Sequence, residues 1–413
     1  MSERPRVLFL TSELPYPPHQ GMAIRAYNLL AGLRERFRVH LYSLSSSPDA
    51  AQHAAALREI CERVEIMPAP VRTRAQRVLS LLTTRLPDMA LRAYSPAFAQ
   101  AVLRALAETE YAILHVESIE MAPYALAALG AGLSRRPRIV FDDLNAEYLL
   151  QKRAFETDLR RPRRWIGAAY SLIQWRRLAR YERRICRLAD CVVAVSEWDR
   201  DALARLAPSA NIAVVPNGID AAHYVNYSPT DAGPVADTPG PKLVFTGKMD
   251  FRPNVDAVCW FANAILPQIQ AHIPDAHLYV VGQRPSPAVQ ALGSRPGITV
   301  TGFVPDVRPY IAAADVYIVP MRMGGGTRLK VLEAMTMGKA IVSTSLGCEG
   351  YGLTPGRELV VADGAARFAD ETVALLRDPA RRAQLGALAR EFAVSRYDWS
   401  RIVPLLERAY GFY

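Results

Sequence analysis

No other stretch restricts this chain as tightly as residues 316 to 344, which read Val-Tyr-Ile-Val-Pro-Met-Arg-Met-Gly-Gly-Gly-Thr-Arg-Leu-Lys-Val-Leu-Glu-Ala-Met-Thr-Met-Gly-Lys-Ala-Ile-Val-Ser-Thr. The apolar run Val316–Val319, ended by Pro320, predicts a strand. Thr327–Met337, rich in helix formers and closed by Gly338, predicts a helix, and Ile341 opens another strand. Between strand and helix stand Gly324, Gly325 and Gly326. Three residues without Cβ let a ligand approach the backbone and meet the unpaired N–H groups of the first helical turn. That geometry suits an anion: a helix N-terminus favours negative charge by roughly 0.3–1 kcal/mol, and up to ~2 kcal/mol when partly buried. Arg328 and Lys330 add full positive charges, so a phosphate or diphosphate fits, and the alternative is a flexible turn with no ligand.

The same alternation runs through the whole chain. Val7–Leu10, a helix over about 23–36, Val39–Leu44, a helix over 51–61 and Val64–Ile66 are followed by strands at 112–116, 139–141 and 192–195. A second series starts at Ile212–Val215. It continues with Leu243–Thr246, a helix over about 254–270, Leu278–Val281, Ile298–Gly302, the glycine stretch and Leu359–Val361. Strands and helices alternating at this spacing imply βαβ units, an α/β fold and parallel sheets covered on both faces. A chain of 413 residues exceeds what one core usually holds. We therefore expect Rossmann-like domains over 1–205 and 206–395, with the last helix, in 396–413, returning to the first. Residues 226 to 241, with Pro229, Gly233, Pro234, Pro239, Gly240 and Pro241, read as a surface loop near the junction.

Apolar content of 50% with 22% charged residues describes a soluble globular chain, and the five cysteines form no C-x-x-C pair and no zinc spacing. A reducing, cytoplasmic setting is expected, with no metal. Arg6–Thr11 is too short for a signal segment and precedes Pro15, Pro17 and Pro18, so it predicts a first strand. No apolar run reaches the ~18 residues of a membrane span. The net charge is +10, and residues 151 to 190 alone carry +8. The helix predicted over 163–188 places Arg176, Arg180, Arg183 and Arg187 on one face and Leu178, Tyr181, Ile185 and Leu188 on another, with Trp165 and Trp175 beside its first half. Such a face can lie on an anionic membrane or simply face water. Nucleic acid is set aside, because no stacking platform accompanies the charge.

Several polar residues fall at the carboxyl ends of predicted parallel strands, where open α/β sheets bind ligands. Gly21 opens the first helix after Pro17-Pro18-His19-Gln20 and is either a phosphate approach or a turn. Glu117 follows one strand and Asp143 another, as polar groups near a ligand. Asp143 or Asn145 could equally cap a helix. Ser196 and Asp199 read as a capping box rather than a metal-binding D-x-D with Asp201. Neither G-x-G-x-x-G nor a P-loop occurs.

With two Rossmann-like halves predicted, the second half resembles the nucleotide-sugar domain of glycosyltransferase family 4, retaining enzymes of GT-B fold, in which two parallel sheets face a central cleft. The matching segments are Val193-Ala-Val-Ser196, Val215-Pro-Asn-Gly-Ile-Asp220, Phe245-Thr-Gly-Lys-Met-Asp250, Val300-Thr-Gly-Phe-Val-Pro305, Gly326–Gly338 and Ile341-Val-Ser-Thr344. The first half agrees through the Gly21 turn and Asn145-Ala-Glu147. The resemblance implies a UDP-, GDP- or ADP-sugar donor lying between the domains, no cofactor, and a glycan or lipid-linked acceptor, as in exopolysaccharide synthesis. Glu333 resembles the second glutamate of E-x7-E, which meets the ribose, and Lys248 stands at a diphosphate arginine. Gly302 to Val304 resemble the loop that meets the base, and Gly21 the glycine beside a phosphate. With Gly325, Gly326, Thr327, Arg328, Lys330 and Arg252 these form the donor set. Glu117 and Asp143 are the candidates near the acceptor. Three positions depart from the family: Gly325 replaces the first E-x7-E glutamate, Asn254 a diphosphate lysine and Leu144 a histidine. A non-catalytic nucleotide-sugar-binding protein is therefore the competing expectation.

Overall fold

The protein, a computed structural model, is described over residues 4–19, 21–159, 165–227, 235 and 238–412. Seven strands form the first sheet: β1 Arg6–Thr11, β2 Arg38–Ser45, β3 Arg63–Pro68, β4 Ile113–Glu117, β5 Arg138–Asp143, β6 Cys191–Ala194 and β7 Ile212–Val214. Six form the second: β8 Lys242–Thr246, β9 His277–Val281, β10 Ile298–Gly302, β11 Val316–Val319, β12 Ile341–Ser343 and β13 Val360–Val361. The orders are β3-β2-β1-β4-β5-β6-β7 and β10-β9-β8-β11-β12-β13. Every paired neighbour is parallel. In both, the fourth strand lies beside the first, so the order reverses there, as in doubly wound dinucleotide-binding folds.

Parallel strands need helices on both faces, so their side chains are buried on either side. Val7 to Leu10 in β1 and Leu243 to Phe245 in β8 are all fully buried. Two separate apolar clusters result, one around Leu8, Leu114, Phe141 and Val192, the other around Phe245, Val280, Ile318 and Ile341.

The chain divides into two compact units, one running to Asn217 and including Ile402 onward, the other Gly218–Arg401. This shifts the expected boundary at 205/206 by about a dozen residues. The reason is β7: Ile212–Val214 pairs with β6 and closes the edge of the first sheet instead of opening the second. Within the first unit, Tyr410 from the chain end donates to or accepts from His115 Nδ1 at 3.0 Å and packs edge-on against Phe37.

The helix expected over 254–270 is three pieces, Arg252–Trp260, a π-helical turn Phe261–Ile265 and Leu266–His272. Pro267 lacks the N–H that a continuous helix would require. The basic helix runs Trp165–Leu188 among the described residues. Arg160, Arg161, Arg163 and Arg164 lie outside them, as do Gln20, Pro229, Gly233 and Pro234. Leu178, Tyr181 and Ile185 are buried, but Leu188 is 43% exposed, because Ala189, four residues after Ile185, takes the inward position. No helix among the described residues is long and apolar enough to cross a membrane.

Candidate functional site

Loops that leave a parallel sheet on either side of a strand-order reversal diverge and open a crevice at the strands' carboxyl ends. In the second unit that reversal lies between β8 and β11, so residues 247–254 and 320–330 should meet, and they do. A Cβ built on Gly324 would lie 3.3 Å from Pro253 Cγ, and one on Gly247 would lie 2.8 Å from Lys330 Nζ and 2.9 Å from Asn254 Nδ2. Gly247, at φ +151°, leaves the space in which those polar ends sit.

The glycine turn is organised by Arg328, whose Nη1 donates to the carbonyls of Gly325 and of Gly326, the latter at 2.6 Å. The guanidinium therefore lies over the turn, and the helix starts at Leu329, with Arg328 in the N-cap position, two residues later than its apolar spacing predicts. Gly326 is held at φ +73°. Thr327 lies beside the Tyr351 hydroxyl. Lys330 Nζ donates to Asn254 Oδ1 at 3.0 Å and stands 3.8 Å from the centre of the Phe245 ring. Burial and the charge of Arg328 lower its pKa to about 7, with Glu333 opposing them.

One turn further along, Glu333 accepts a hydrogen bond at Oε1 from the Tyr224 hydroxyl, 3.1 Å away. Burial raises its pKa, while the Tyr224 bond and Lys330 pull it down. Tyr224 sits on the short helix Ala221–Val225, whose N-cap Asp220 accepts from His223 N. Lys248 is half exposed, 3.9 Å from Asp250, and Arg252 is exposed at the start of its helix. Gly302 ends β10 at φ +70° and faces open space. Phe303 beside it is 73% exposed, and Val304 packs on the second core. The second unit thus brings Lys248, Arg252, Gly325, Gly326, Thr327, Arg328, Lys330 and Glu333 to one end of its sheet. Gly302 and Val304 follow β10, at the sheet's edge.

The first unit repeats the reversal between β1 and β4. Gly21 opens the helix Gly21–Leu33 after β1 and is exposed. One turn in, Arg25 is buried and binds both oxygens of Asp142 at 3.0 Å, then reaches the Pro216 carbonyl at 2.9 Å and Asn217 Oδ1 at 3.2 Å. His115 stacks on Phe9, with Nε2 3.6 Å from Asp142. Glu117, at the carboxyl end of β4, is 2% exposed, and no hydrogen bond reaches its Oε1. Burial, reinforced by the charge of Asp142, raises its pKa well above the carboxylate range.

Asp143 points to the other face of the sheet from Asp142. Among the described residues no N–H or hydroxyl donor reaches it. Burial drives its pKa upward, reinforced by the neighbouring Glu182 carboxyl, which burial also raises, to about 8. Glu182 in turn accepts from the backbone N–H groups of Glu147 and Tyr148 at 2.8 and 2.9 Å, and Asp199 accepts from Ala146 N. The helix Glu147–Leu159 is therefore capped from distant carboxylates, not by Asp143 or Asn145. Ser196 does cap its own helix, accepting from Asp199 N. Among the described residues no group of three or more His, Cys, Asp or Glu is placed to hold a metal ion.

Residues 19–223 match the model of Glycosyltransferase Family 4, and residues 240–378 that of Glycosyl transferases group 1. The chain belongs to glycosyltransferase family 4. Among its family 4 relatives, the phosphatidyl-myo-inositol mannosyltransferase of Mycolicibacterium smegmatis is 30% identical over 228 residues, which are 53% of this chain and 56% of the relative. A GDP-mannose-dependent alpha-(1-6)-phosphatidylinositol monomannoside mannosyltransferase of the same organism is 27% identical over 54% of this chain and 64% of its own length. The chain spans little more than half the length of these curated relatives. Sucrose-phosphate synthase from Thermosynechococcus elongatus superposes with a TM-score of 0.71 at 19% identity, covering 99% of this chain and 98% of that one. The Anabaena protein HepE, solved in complex with UDP, gives 0.68 at 15%, covering 98% and 99%. These likenesses establish the GT-B fold.

Two features of this arrangement escape the sequence. Tyr224 as the partner of Glu333 is signalled only by Asp220, the last residue of the matching Val215–Asp220 segment and the N-cap of its helix. The pairing of Asn254 with Lys330 joins residues 76 apart, and no spacing rule announces it.

Proposed function

We propose that the protein is a retaining glycosyltransferase that moves a hexose from a nucleoside-diphosphate sugar to a glycan or lipid-linked acceptor. The observation that carries the reading is the meeting of Lys248, Lys330, the glycine turn and the Glu333–Tyr224 pair at the strand-order reversal of the second unit. Cations and helix N–H groups at that place suit a diphosphate, and a buried carboxylate one turn behind them suits ribose hydroxyls. The chemistry then needs chiefly positioning and stabilisation of the departing diphosphate's charge. In this reading side chains supply that charge and no metal is assigned a role, so turnover should survive a chelator. On the first unit, Glu117 is the carboxyl at the reversal and the better placed of the two acceptor-side candidates, since Asp143 is committed to Glu182.

The acceptor we favour is lipid-linked, in cell-surface glycan synthesis at the inner face of a membrane. Two of the relatives carry phosphatidylinositol in their names, and the first unit offers a surface of the right character. Helix Arg74–Thr83 buries none of its residues and exposes Val78, Leu79 and Leu82. Arg177 donates to the carbonyls of Ser80 and Leu81, which holds that helix beside Trp165–Leu188 with its exposed Trp165, Ile173 and arginines. Apolar side chains ringed by arginine suit an anionic bilayer.

The test is hydrolysis and transfer from a panel of UDP-, GDP- and ADP-sugars, with and without phosphatidylinositol or polyprenyl-phosphate acceptors. Turnover on one donor supports the transferase. Nucleotide binding with no turnover on any acceptor favours the non-catalytic alternative, for which Gly325 and Leu144 are the motive.

A further inference from the structure

Lys330 is in an unusual position for a lysine. Its ammonium is withdrawn over the Phe245 ring, its hydrogen-bond acceptor is the neutral Asn254 amide, and among the described residues no carboxylate comes within ion-pair distance of it. An ammonium held partly out of water with no carboxylate against it is disfavoured, and an anion docked beside it would relieve that cost. Asn254 is oriented for the purpose. Its Nδ2 donates to the Lys248 carbonyl at 2.9 Å, which turns Oδ1 toward the ammonium. Gly247, where a Cβ would lie 2.8 Å from Lys330 Nζ, keeps the carboxyl end of β8 open around it. Position 254 is where the resemblance to family 4 expects a diphosphate lysine, and a lysine there would bring a second ammonium against the first.

We propose that Lys330 is the lysine of the donor diphosphate in this chain, delivered from the glycine-turn helix instead of from position 254, with Asn254 as its positioning residue. The inference rests on the nucleotide-sugar reading above and adds to it which side chain carries the charge. It also gives donor binding a pH signature. Free Lys330 titrates near 7, and a diphosphate beside it raises that value. Affinity is then full below pH 7 and falls as pH rises through 7 toward the bound-state value. The charged groups acting on it are Arg328 and Glu333. Phe245 and Asn254, from the other elements packed against it, carry no charge.

The experiment is equilibrium titration of UDP, GDP and ADP and their monophosphates on the wild type, Lys330→Met, Lys330→Arg and Lys330→Met with Asn254→Lys. For the diphosphate that binds, Lys330→Met should weaken affinity roughly 10- to 100-fold, with a smaller effect on the monophosphate, and Asn254→Lys should recover most of that loss. Lys330→Arg, charged at every pH used, should lose the decline in affinity above pH 7. Binding of the diphosphate by Lys330→Met within twofold of wild type overturns the inference while the nucleotide-sugar reading stands. So does equal loss for diphosphate and monophosphate, or a wild-type pH dependence that Lys330→Arg preserves. Failure of all three nucleoside diphosphates to bind the wild type overturns both.

Discussion

Replacing Glu333 by alanine separates its proposed ribose contact from its structural one. The carboxylate has two oxygens. Oε1 is engaged by the Tyr224 hydroxyl at 3.1 Å, and among the described residues no donor reaches Oε2, so one charge-assisted hydrogen bond is available to a ribose hydroxyl. Such a bond contributes about 1.5–3 kcal/mol, so Glu333→Ala should weaken nucleotide binding roughly 10- to 150-fold. The same substitution strands the Tyr224 hydroxyl, at about 1–3 kcal/mol of stability. In a unit of this size that lowers the melting temperature by roughly 2–4 °C per kcal/mol. Tyr224→Phe is the control, because it removes the internal bond and frees Oε1. It should leave nucleotide affinity at or above wild type while Glu333→Ala loses it. The measurements are calorimetric titration with the binding nucleotide and thermal unfolding of both variants. An affinity within twofold of wild type in Glu333→Ala would refute the ribose assignment, whatever the melting temperature does.

Asp142→Asn should lower the stability of the first unit by about 3–5 kcal/mol, since Arg25 would be left buried without its counter-charge, as read by urea unfolding. Nucleotide affinity should hardly change. The Asp143–Glu182 pair predicts a pH dependence of the opposite kind from ordinary surface carboxylates. Glu182 is raised from 4.5 to about 8 in the folded chain, so the folded state keeps a proton that the unfolded state releases. Its contribution is full below about pH 4.5 and lost as pH rises through 8. The melting temperature should therefore decline between pH 5 and 8, and Glu182→Gln should make that decline shallower, the remainder coming from the other buried carboxyls, Glu117 and Glu147. A melting temperature that rises over this interval in the wild type, or a decline as steep in Glu182→Gln as in the wild type, would contradict the raised Glu182 carboxyl. Leu82→Asp should reduce partition onto phosphatidylglycerol vesicles several-fold, and binding should weaken as salt rises. Partition equal to wild type would remove helix Arg74–Thr83 from the contact.

How much could be read in advance depends on the range of the interaction responsible. Strand and helix alternation is local, so the elements of both sheets are legible in the sequence to within a few residues. Ile298–Gly302 and Val316–Val319 have the predicted bounds. Sheet membership is not local. Nothing within Ile212–Val215 says that it pairs backward with β6, and the expected domain boundary moves for that reason alone. Capping behaves the same way. Ser196 reaches Asp199 three residues on and is legible, while the N-terminus of Glu147–Leu159 is satisfied by Glu182 and Asp199, 35 and 53 residues away, and is not.

The three departures from the family pattern respond differently to the same consideration. At Asn254 the missing charge returns from elsewhere, because Lys330 on a neighbouring helix ends at the same point, and a residue-by-residue comparison counts as a loss what is a change of origin. At Leu144 the histidine is not returned by His115, the nearest one in the sequence, which is fully buried between Phe9 and Tyr410 with Asp142 beside it and so belongs to the Arg25 network. At Gly325 the carboxylate is absent and the backbone carbonyl is instead taken by Arg328. A glutamate there would sit against that guanidinium and compete with the carbonyls for it. The glycine and the arginine therefore form one arrangement in which positive charge lies over the turn. A single Gly325→Glu exchange is then expected to neutralise Arg328 before it holds a sugar. Weaker nucleoside-diphosphate binding in Gly325→Glu, measured with the titration used for Glu333, would follow from that arrangement, and tighter binding would show the turn to be free of it.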